Sequence, residues 1–167
     1  ANSAGRRPFS LAQDRGAVIE ITRLVRGMPL ALRMAAARAA EMPCDDVRRG
    51  IEQSLLDLSS TPGMTEAEAR HRDLRAVVRY SWVLLKQDER AVFARLCVMP
   101  GSFTLNTARQ IGATDHGTLL WLVDKSFVQF DGERYDLHPL LREFGAEQLP
   151  PDDAAEAGDR MVRHFLD

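Results

Sequence analysis

The side chains that most often carry out catalysis are few in this sequence and lie far apart. The chain contains no GxxxxGKS/T, GxSxG, HExxH or GxGxxG motif. The two cysteines, Cys44 and Cys97, form neither a CxxC pair nor a Cys/His cluster, so we expect two buried thiols. The histidines also lack metal-ligand spacing. They are His71, His116, His138 and His164.

Carboxylates stand next to each other at two places, which is the other pattern that can indicate acid–base chemistry. Asp45–Asp46 and Asp152–Asp153 both stand where a helix is predicted to begin. A helix N-terminus favours negative charge, and this explains both pairs without catalysis. We therefore expect no catalytic site and no metal site in this chain, which is not an enzyme by itself.

Composition indicates a globular protein rather than a disordered one. Of the 167 residues, 45% are hydrophobic and 28% are charged, and the net charge of −2 gives no general attraction to nucleic acid or membranes. The apolar run 119–123 is too short for a membrane span, and residues 1–10 lack the hydrophobic core of a signal peptide. We expect a cytoplasmic location. We also expect an excised part of a longer protein, because the sequence opens without methionine.

A glycine and a proline two residues apart mark one boundary between helices. Residues 14–26 form an amphipathic stretch that stops at Gly27, and Pro29 then opens an alanine-dense stretch that runs to about Met42. Glycine is common after a helix, and proline is common in the first turn of one. Pro29 therefore starts a helix, and the open question is whether its ring also contacts a ligand.

Two further helices complete a predicted four-helix bundle over residues 1–86. The third helix begins near Cys44 or Asp45 and continues through "CDDVRRGIEQSLLDL", while residues 59–66 are a loop. The fourth covers roughly 72–86. Short connections of this kind are typical of helical bundles.

The pattern after residue 86 predicts a winged-helix domain over residues 87–150. Three helices are expected: one capped by Asp88, one capped by Thr104 after the turn "PGSF", and one at 116–126. Alternating residues around Asp131–Gly132 then predict a β-hairpin. A helix at 138–149 follows, and 151–167 begins a further helical segment with a helix from about Ala154. The fold class is mostly α.

A winged helix raises the alternative of DNA binding, which the charges do not favour. The face of the predicted recognition helix offers only His116, Asp124 and Lys125, while acidic residues accompany Arg134 on the wing. The basic cluster at 70–79 is most simply a solvated helix face. We expect no direct contact between this chain and nucleic acid, but the alternative stays open.

Three segments in order resemble one family. "RGMPLALRMAAARA" resembles the GLPLAL motif, and "RHRDLRAVVRYSWVLLKQDERAVFARLCVMPGSFTLNTARQI" is similar to the stretch that links a helical bundle to a winged helix. "LLWLVDKSFVQFDGERYDLHPLLREFGAEQL" matches the family's end, with "LHP" in place of its methionine-histidine-aspartate motif. Over residues 6–149 the chain thus resembles the C-terminal half of the NB-ARC module in bacterial STAND regulators, the AfsR-like and LuxR-like ATPases.

The resemblance implies roles for two motifs. Gly27, Met28 and Pro29 match the motif whose proline packs on the adenine of bound ADP or ATP, and a rigid apolar ring suits that contact. His138 matches the histidine that reaches the β-phosphate of ADP, where an imidazole N–H can donate to oxygen. The family contact with ADP implies a closed resting state that ATP releases.

The resemblance also implies partners outside these residues. A phosphate-binding loop and a magnesium-binding aspartate would lie upstream, and a repeat-type sensor downstream, in a transcriptional regulator. The chain alone would then hold no nucleotide tightly. Two departures from the family motif stand out: Pro139 replaces the motif's aspartate, and Arg33 either faces phosphate or, as we favour, forms a surface ion pair.

Besides DNA binding, a further alternative is a nucleotide-independent interaction scaffold, in which both motifs merely pack.

Overall fold

A computed structural model describes residues 10–58 and 63–166. The chain divides into two compact units, one ending at Leu84 and one beginning at Leu85. Within the described ranges the structure is mostly helical with one small antiparallel hairpin, which confirms the predicted fold class. Part of the predicted loop at 59–66 lies outside the described residues.

The first unit is a bundle of four helices. They are α1 (Leu11–Leu24), α2 (Pro29–Ala39), α3 (Cys44–Asp57) and α4 (Glu66–Val83). Helix α3 packs on α1 and α4, and α2 packs on α4. Apolar residues at helical spacing bury one face of each helix, which is the main source of stability for helices this short. The fully buried members include Met34, Val47, Ile51, Val77 and Val78.

Helix α4 begins at Glu66, so the predicted start near Arg72 was wrong. Thr65 and Glu68 form a capping box that fixes this start. The backbone N–H of Thr65 donates to Oε2 of Glu68 across 2.7 Å, and the N–H of Glu68 donates to Oγ1 of Thr65 across 3.3 Å. These bonds satisfy backbone donors that the first turn of a helix leaves open.

The second unit contains five helices among its described residues, together with the hairpin. They are α5 (Gln87–Leu96), α6 (Leu105–Gly112), α7 (His116–Asp124), α8 (Pro139–Glu147) and α9 (Pro151–Leu166). Strands β1 (Gln129–Phe130) and β2 (Tyr135–Asp136) pair antiparallel. The hairpin therefore forms where Asp131–Gly132 predicted it. The segment assigned only as a turn also pairs, because the backbone groups of Phe103 and Tyr135 exchange two hydrogen bonds of 2.8 Å.

Side-chain hydrogen bonds fix the starts of α5 and α6, and one differs from the prediction. The side chain of Thr104 caps α6 as expected, accepting from the N–H of Thr107. Asp88 does not cap α5, which begins one residue earlier, and the carboxylate of Glu89 instead accepts from the N–H of Lys86 across 2.9 Å. Helix α9 begins at Pro151 and packs against α6 and α5.

A search of the described helices finds none that is both long and apolar enough to cross a membrane.

Candidate functional site

The loop between α1 and α2 turns through two residues with left-handed backbone. Arg26 has φ 50° and Gly27 has φ 67°. The N–H of Gly27 donates to the carbonyl of Thr22 across 2.9 Å, and the N–H of Arg26 donates to that of Arg23 across 3.0 Å. These bonds close the end of α1 in the manner of a Schellman motif, which needs a left-handed residue after the helix.

Pro29 occupies the first position of α2, as the sequence predicts, and it is exposed. Met28 before it has an extended backbone with ψ 123°, the conformation that a following proline imposes. The carbonyl of Met28 accepts from the N–H of Leu32 across 3.0 Å and so begins the helical bonding. Proline has no N–H to leave unpaired here, so its ring faces outward without a backbone penalty.

Arg26 ties this loop to α4. Its Nε lies 2.6 Å from Oδ2 of Asp73, a carboxylate whose side chain is only 4% exposed. Arg72 contacts the other oxygen of Asp73, with Nη2 2.6 Å from Oδ1. The prediction of a solvated face over residues 70–79 was wrong for Asp73, which is a buried anion between two guanidinium groups.

The far end of α2 is also held against α4. Nη2 of the buried Arg38 donates to the backbone carbonyl of Ser81 across 2.8 Å, and its Nη1 lies 3.3 Å from Glu41. A charged group is rarely buried without such partners. Arg38 was not predicted as a buried residue, because an arginine among alanines carries no local sign of burial.

Arg33 lies on the exposed side of α2. Among the residues that the structure describes, none forms an ion pair with it, so the surface ion pair that we favoured is not observed.

His138 is the N-cap residue of α8. Its Nδ1 accepts a hydrogen bond from the backbone N–H of Leu140 across 3.2 Å. A neutral imidazole that accepts at Nδ1 carries its hydrogen on Nε2, and in that form Nε2 is a donor. Pro139 follows at the first helical position, where the family motif has aspartate. This bond to the helix backbone helps to orient the ring of His138.

An ion pair that brackets His138 fixes the path of the chain into α8. Oδ1 of Asp136 accepts from the N–H of Leu137 across 2.8 Å and lies 2.9 Å from Nη2 of Arg142. The end of β2 is therefore joined to the second turn of α8. This pair was not predicted, although Asp and Arg six residues apart across a strand–helix junction are a usable signal.

Helix α8 also lies very close to α5. The thiol of Cys97, at the end of α5, donates to the carbonyl of Leu141 across 3.6 Å. Gly145 faces the same sulfur, and a side chain there would overlap it. Burial raises the pKa of the Cys97 thiol. Cys44 and Cys97 are both buried thiols that form no disulfide with each other, as expected.

The structure places Gly27, Met28 and Pro29 in succession at the start of α2 in the first unit, and it places His138 at a helix start in the second. Gly27 and Pro29 are exposed, while Met28 and His138 are half-buried. The described residues contain no group of three histidine, cysteine or carboxylate side chains that could hold a metal ion.

Lys125 departs from its expected place on a DNA-facing surface. The residue is only 2% exposed, and its ammonium lies 4.1 Å from the ring centroid of Trp121. This is the geometry of a cation–π contact. Lys125, at the end of α7, is therefore not exposed to bind a phosphate group.

Comparison with known proteins finds relatives in mycobacteria. An uncharacterised protein of Mycobacterium tuberculosis is 31% identical over 174 residues, which cover 96% of this chain and 44% of that protein. A second protein of that species, provisionally named an HTH-type transcriptional regulator, is 33% identical over 168 residues, which cover 93% of this chain and 18% of the regulator. A Mycobacterium bovis protein with the same kind of name gives the same values.

The chain spans less than half the length of these curated relatives. No protein-family model matches the chain. No solved structure matches it either. The similarity therefore identifies a domain of the kind found in proteins provisionally named transcriptional regulators, and it extends over nearly all of this chain.

Proposed function

We propose that this chain is the regulatory part of an ATP- and ADP-dependent signalling switch, within a cytoplasmic transcriptional regulator of the STAND type. The observation that carries the proposal is the hydrogen bond from the backbone N–H of Leu140 to Nδ1 of His138, which leaves Nε2 to carry the hydrogen of a neutral imidazole. An N–H donor held at a helix start is the group that a diphosphate oxygen would accept from.

The loop at Pro29 supports the same proposal. An exposed, rigid and apolar ring contacts an adenine with little loss of conformational entropy, because proline has almost no side-chain freedom to lose. In this proposal Gly27, Met28 and Pro29 cover the base and His138 reaches the β-phosphate. A nucleotide-binding domain upstream supplies the phosphate-binding loop and the magnesium site, and hydrolysis belongs to that domain.

The proposed switch depends on a difference between the affinities of the closed state for ADP and for ATP. A winged helix that donates to the β-phosphate of ADP is held closed while ADP is bound, and exchange for ATP releases it when the closed state binds ATP less well. A repeat-type sensor downstream would shift this balance in response to a signal. Relatives provisionally named HTH-type transcriptional regulators support a regulatory role, and this chain matches 18% of their length.

Two alternatives make different predictions. A winged-helix DNA-binding module predicts salt-dependent binding of duplex DNA by these residues, and the burial of Lys125 weighs against it. A nucleotide-independent scaffold predicts that changes at Pro29 and His138 alter stability and leave nucleotide content unchanged.

The test is the nucleotide content of the intact protein that carries this chain. The protein is purified and denatured, and the released nucleotide is identified by chromatography, with Pro29→Ala and His138→Ala in parallel. Pro151→Ala and His116→Ala are matched controls, because they replace an exposed proline at the first position of α9 and an exposed histidine at the start of α7.

We expect stoichiometric ADP from the wild type and from both controls. His138→Ala is expected to stay folded while its ADP is reduced or replaced by ATP, and Pro29→Ala to release less nucleotide of either kind. Absence of nucleotide from the wild-type protein would remove the physical basis of the switch, and the scaffold alternative would then lead.

A further inference from the structure

We propose that Arg26 is a positioning residue for Pro29, and that its ion pair with Asp73 holds the proline ring in the orientation that contacts the nucleotide base. The inference rests on the proposed function, and it adds to the site a residue that neither motif contains.

The backbone of Arg26 is the first reason. Its φ of 50° lies in the left-handed region, which side chains with a Cβ rarely adopt. Glycine is the usual residue at this position after a helix, and here glycine follows only at the next residue, Gly27. Strained residues of this kind persist where the surrounding structure holds them, and they are frequent at functional sites.

The side chain of Arg26 supplies what holds it. Nε of Arg26 lies 2.6 Å from Oδ2 of Asp73, which is 47 residues away on α4 and 4% exposed. A buried carboxylate of this kind requires cationic or hydrogen-bonding partners. Arg26 is the partner of Oδ2, and Arg72 is the partner of Oδ1. Arg26 is itself 40% exposed, so it reaches inward from the loop to a fixed anion.

Only Gly27 and Met28 separate this anchor from Pro29. Glycine alone restrains the backbone poorly, so without the anchor the loop gains conformations in which the ring points elsewhere. At the other end of α2, Arg38 is bonded to the carbonyl of Ser81. With both contacts in place, the orientation of Pro29 is fixed relative to α4.

The test separates positioning from simple stability. In the intact protein, Arg26→Gly removes the ion pair and relieves the left-handed strain. Arg72 still pairs with Asp73, so we expect the variant to fold, with a thermal midpoint without nucleotide below that of the wild type. We expect its dissociation constant for ADP to rise about three- to tenfold. The dissociation constant for ribose 5′-diphosphate, which lacks the base, should not change. Arg49→Ala is the control, because it removes an exposed arginine of α3 whose ion pair is with Asp46.

Arg26→Lys keeps a cation near Asp73, so we expect this variant to bind ADP with an affinity between those of the wild type and Arg26→Gly. The lysine variant also tests the proposal if the glycine variant does not fold. Equal ADP affinity in wild type and both variants would overturn the positioning role and leave the proposed function intact. Equal weakening of ADP and ribose 5′-diphosphate would show a general structural role and would also overturn it. A wild-type protein that binds no nucleotide would overturn the proposed function, and this inference with it.

Discussion

Gly145 of α8 lies so close to Sγ of Cys97 that no Cβ fits between the two helices, and a Cβ there would also lie 2.7 Å from Cε1 of Phe93. This contact sets how near α8 comes to α5. Because His138 is the N-cap residue of α8, the same contact helps to fix the position of its imidazole.

Replacing Gly145 with alanine should therefore destabilise the protein. We expect Gly145→Ala to lower the free energy of unfolding by about 1–3 kcal/mol, the usual range for overpacking a core, as measured by urea denaturation. Gly158→Ala in α9 is the matched control: no atom lies within 4 Å of the place that a methyl group would take there. Better helix propensity should then raise stability by about 0.5–1 kcal/mol. Equal effects at both positions would contradict the close contact.

The buried thiol of Cys97 should make the protein less stable in alkali. Burial raises its pKa above the ordinary 9.0, so the thiol stays protonated in the folded state at a pH where the unfolded chain loses the proton. The stabilisation is complete below pH 9 and is lost as pH rises toward the folded-state pKa. Denaturant titrations should show a steeper fall above pH 9 for the wild type than for Cys97→Ala, and parallel curves would refute this.

The same burial predicts slow alkylation. Iodoacetamide reacts with the thiolate, so we expect Cys97 to remain unmodified in the native protein at pH 8 and to react in urea. Mass spectrometry of the digested protein measures this directly, with Cys44, which is also buried, as an internal comparison. Rapid native labelling of Cys97 would contradict its burial.

Ala113 ends α6 in a left-handed conformation with φ 49° and ψ 48°. Glycine adopts this backbone without the clash of a Cβ, so Ala113→Gly should raise the free energy of unfolding by about 1 kcal/mol. The same substitution at the exposed Ala146, inside α8, should lower it by about 1 kcal/mol. Thermal melts of both variants measure whether the two changes in stability have opposite signs. A loss of stability at both positions would show that the backbone of Ala113 is not left-handed.

Lys125 should matter for stability and not for DNA. We expect Lys125→Ala to lower the free energy of unfolding by about 1 kcal/mol, because it loses the contact with Trp121 and the packing of its stem. Lys125→Met keeps most of that packing and should lose less. Gel-shift assays with duplex DNA at two salt concentrations should show no difference from the wild type, whereas a weaker salt dependence in Lys125→Ala would place Lys125 on phosphate.

Local rules predicted much of the fold. Pro29 at the start of α2, Thr104 as a cap and the hairpin at Asp131–Gly132 all depend on a few neighbouring residues. The start of α4 was missed because the two serines, the proline and the glycine in residues 59–63 favour a loop, although Thr65 and Glu68 have the spacing of a capping box. The pairing of Phe103 with Tyr135 joins residues far apart in sequence, and no local pattern reports it.

The candidate site was also predictable from the sequence only in part. Gly27, Pro29 and His138 belong to short motifs and were visible in the sequence. The bond between Arg26 and Asp73 spans 47 residues, and a single acidic residue within the basic cluster 70–79 gives no sign that it is buried. Only the packing of α2 on α4 brings the two together.

Arg26, just before α2, and Arg38, near its end, are both bonded to residues of α4. The two helices are therefore held together as one rigid pair. Helix α4 has 18 residues, which corresponds to a rod about 27 Å long. It ends at Val83, one residue before the first unit ends. We therefore expect a displacement of Pro29 to move α2 and α4 together, as far as the end of the first unit at Leu84.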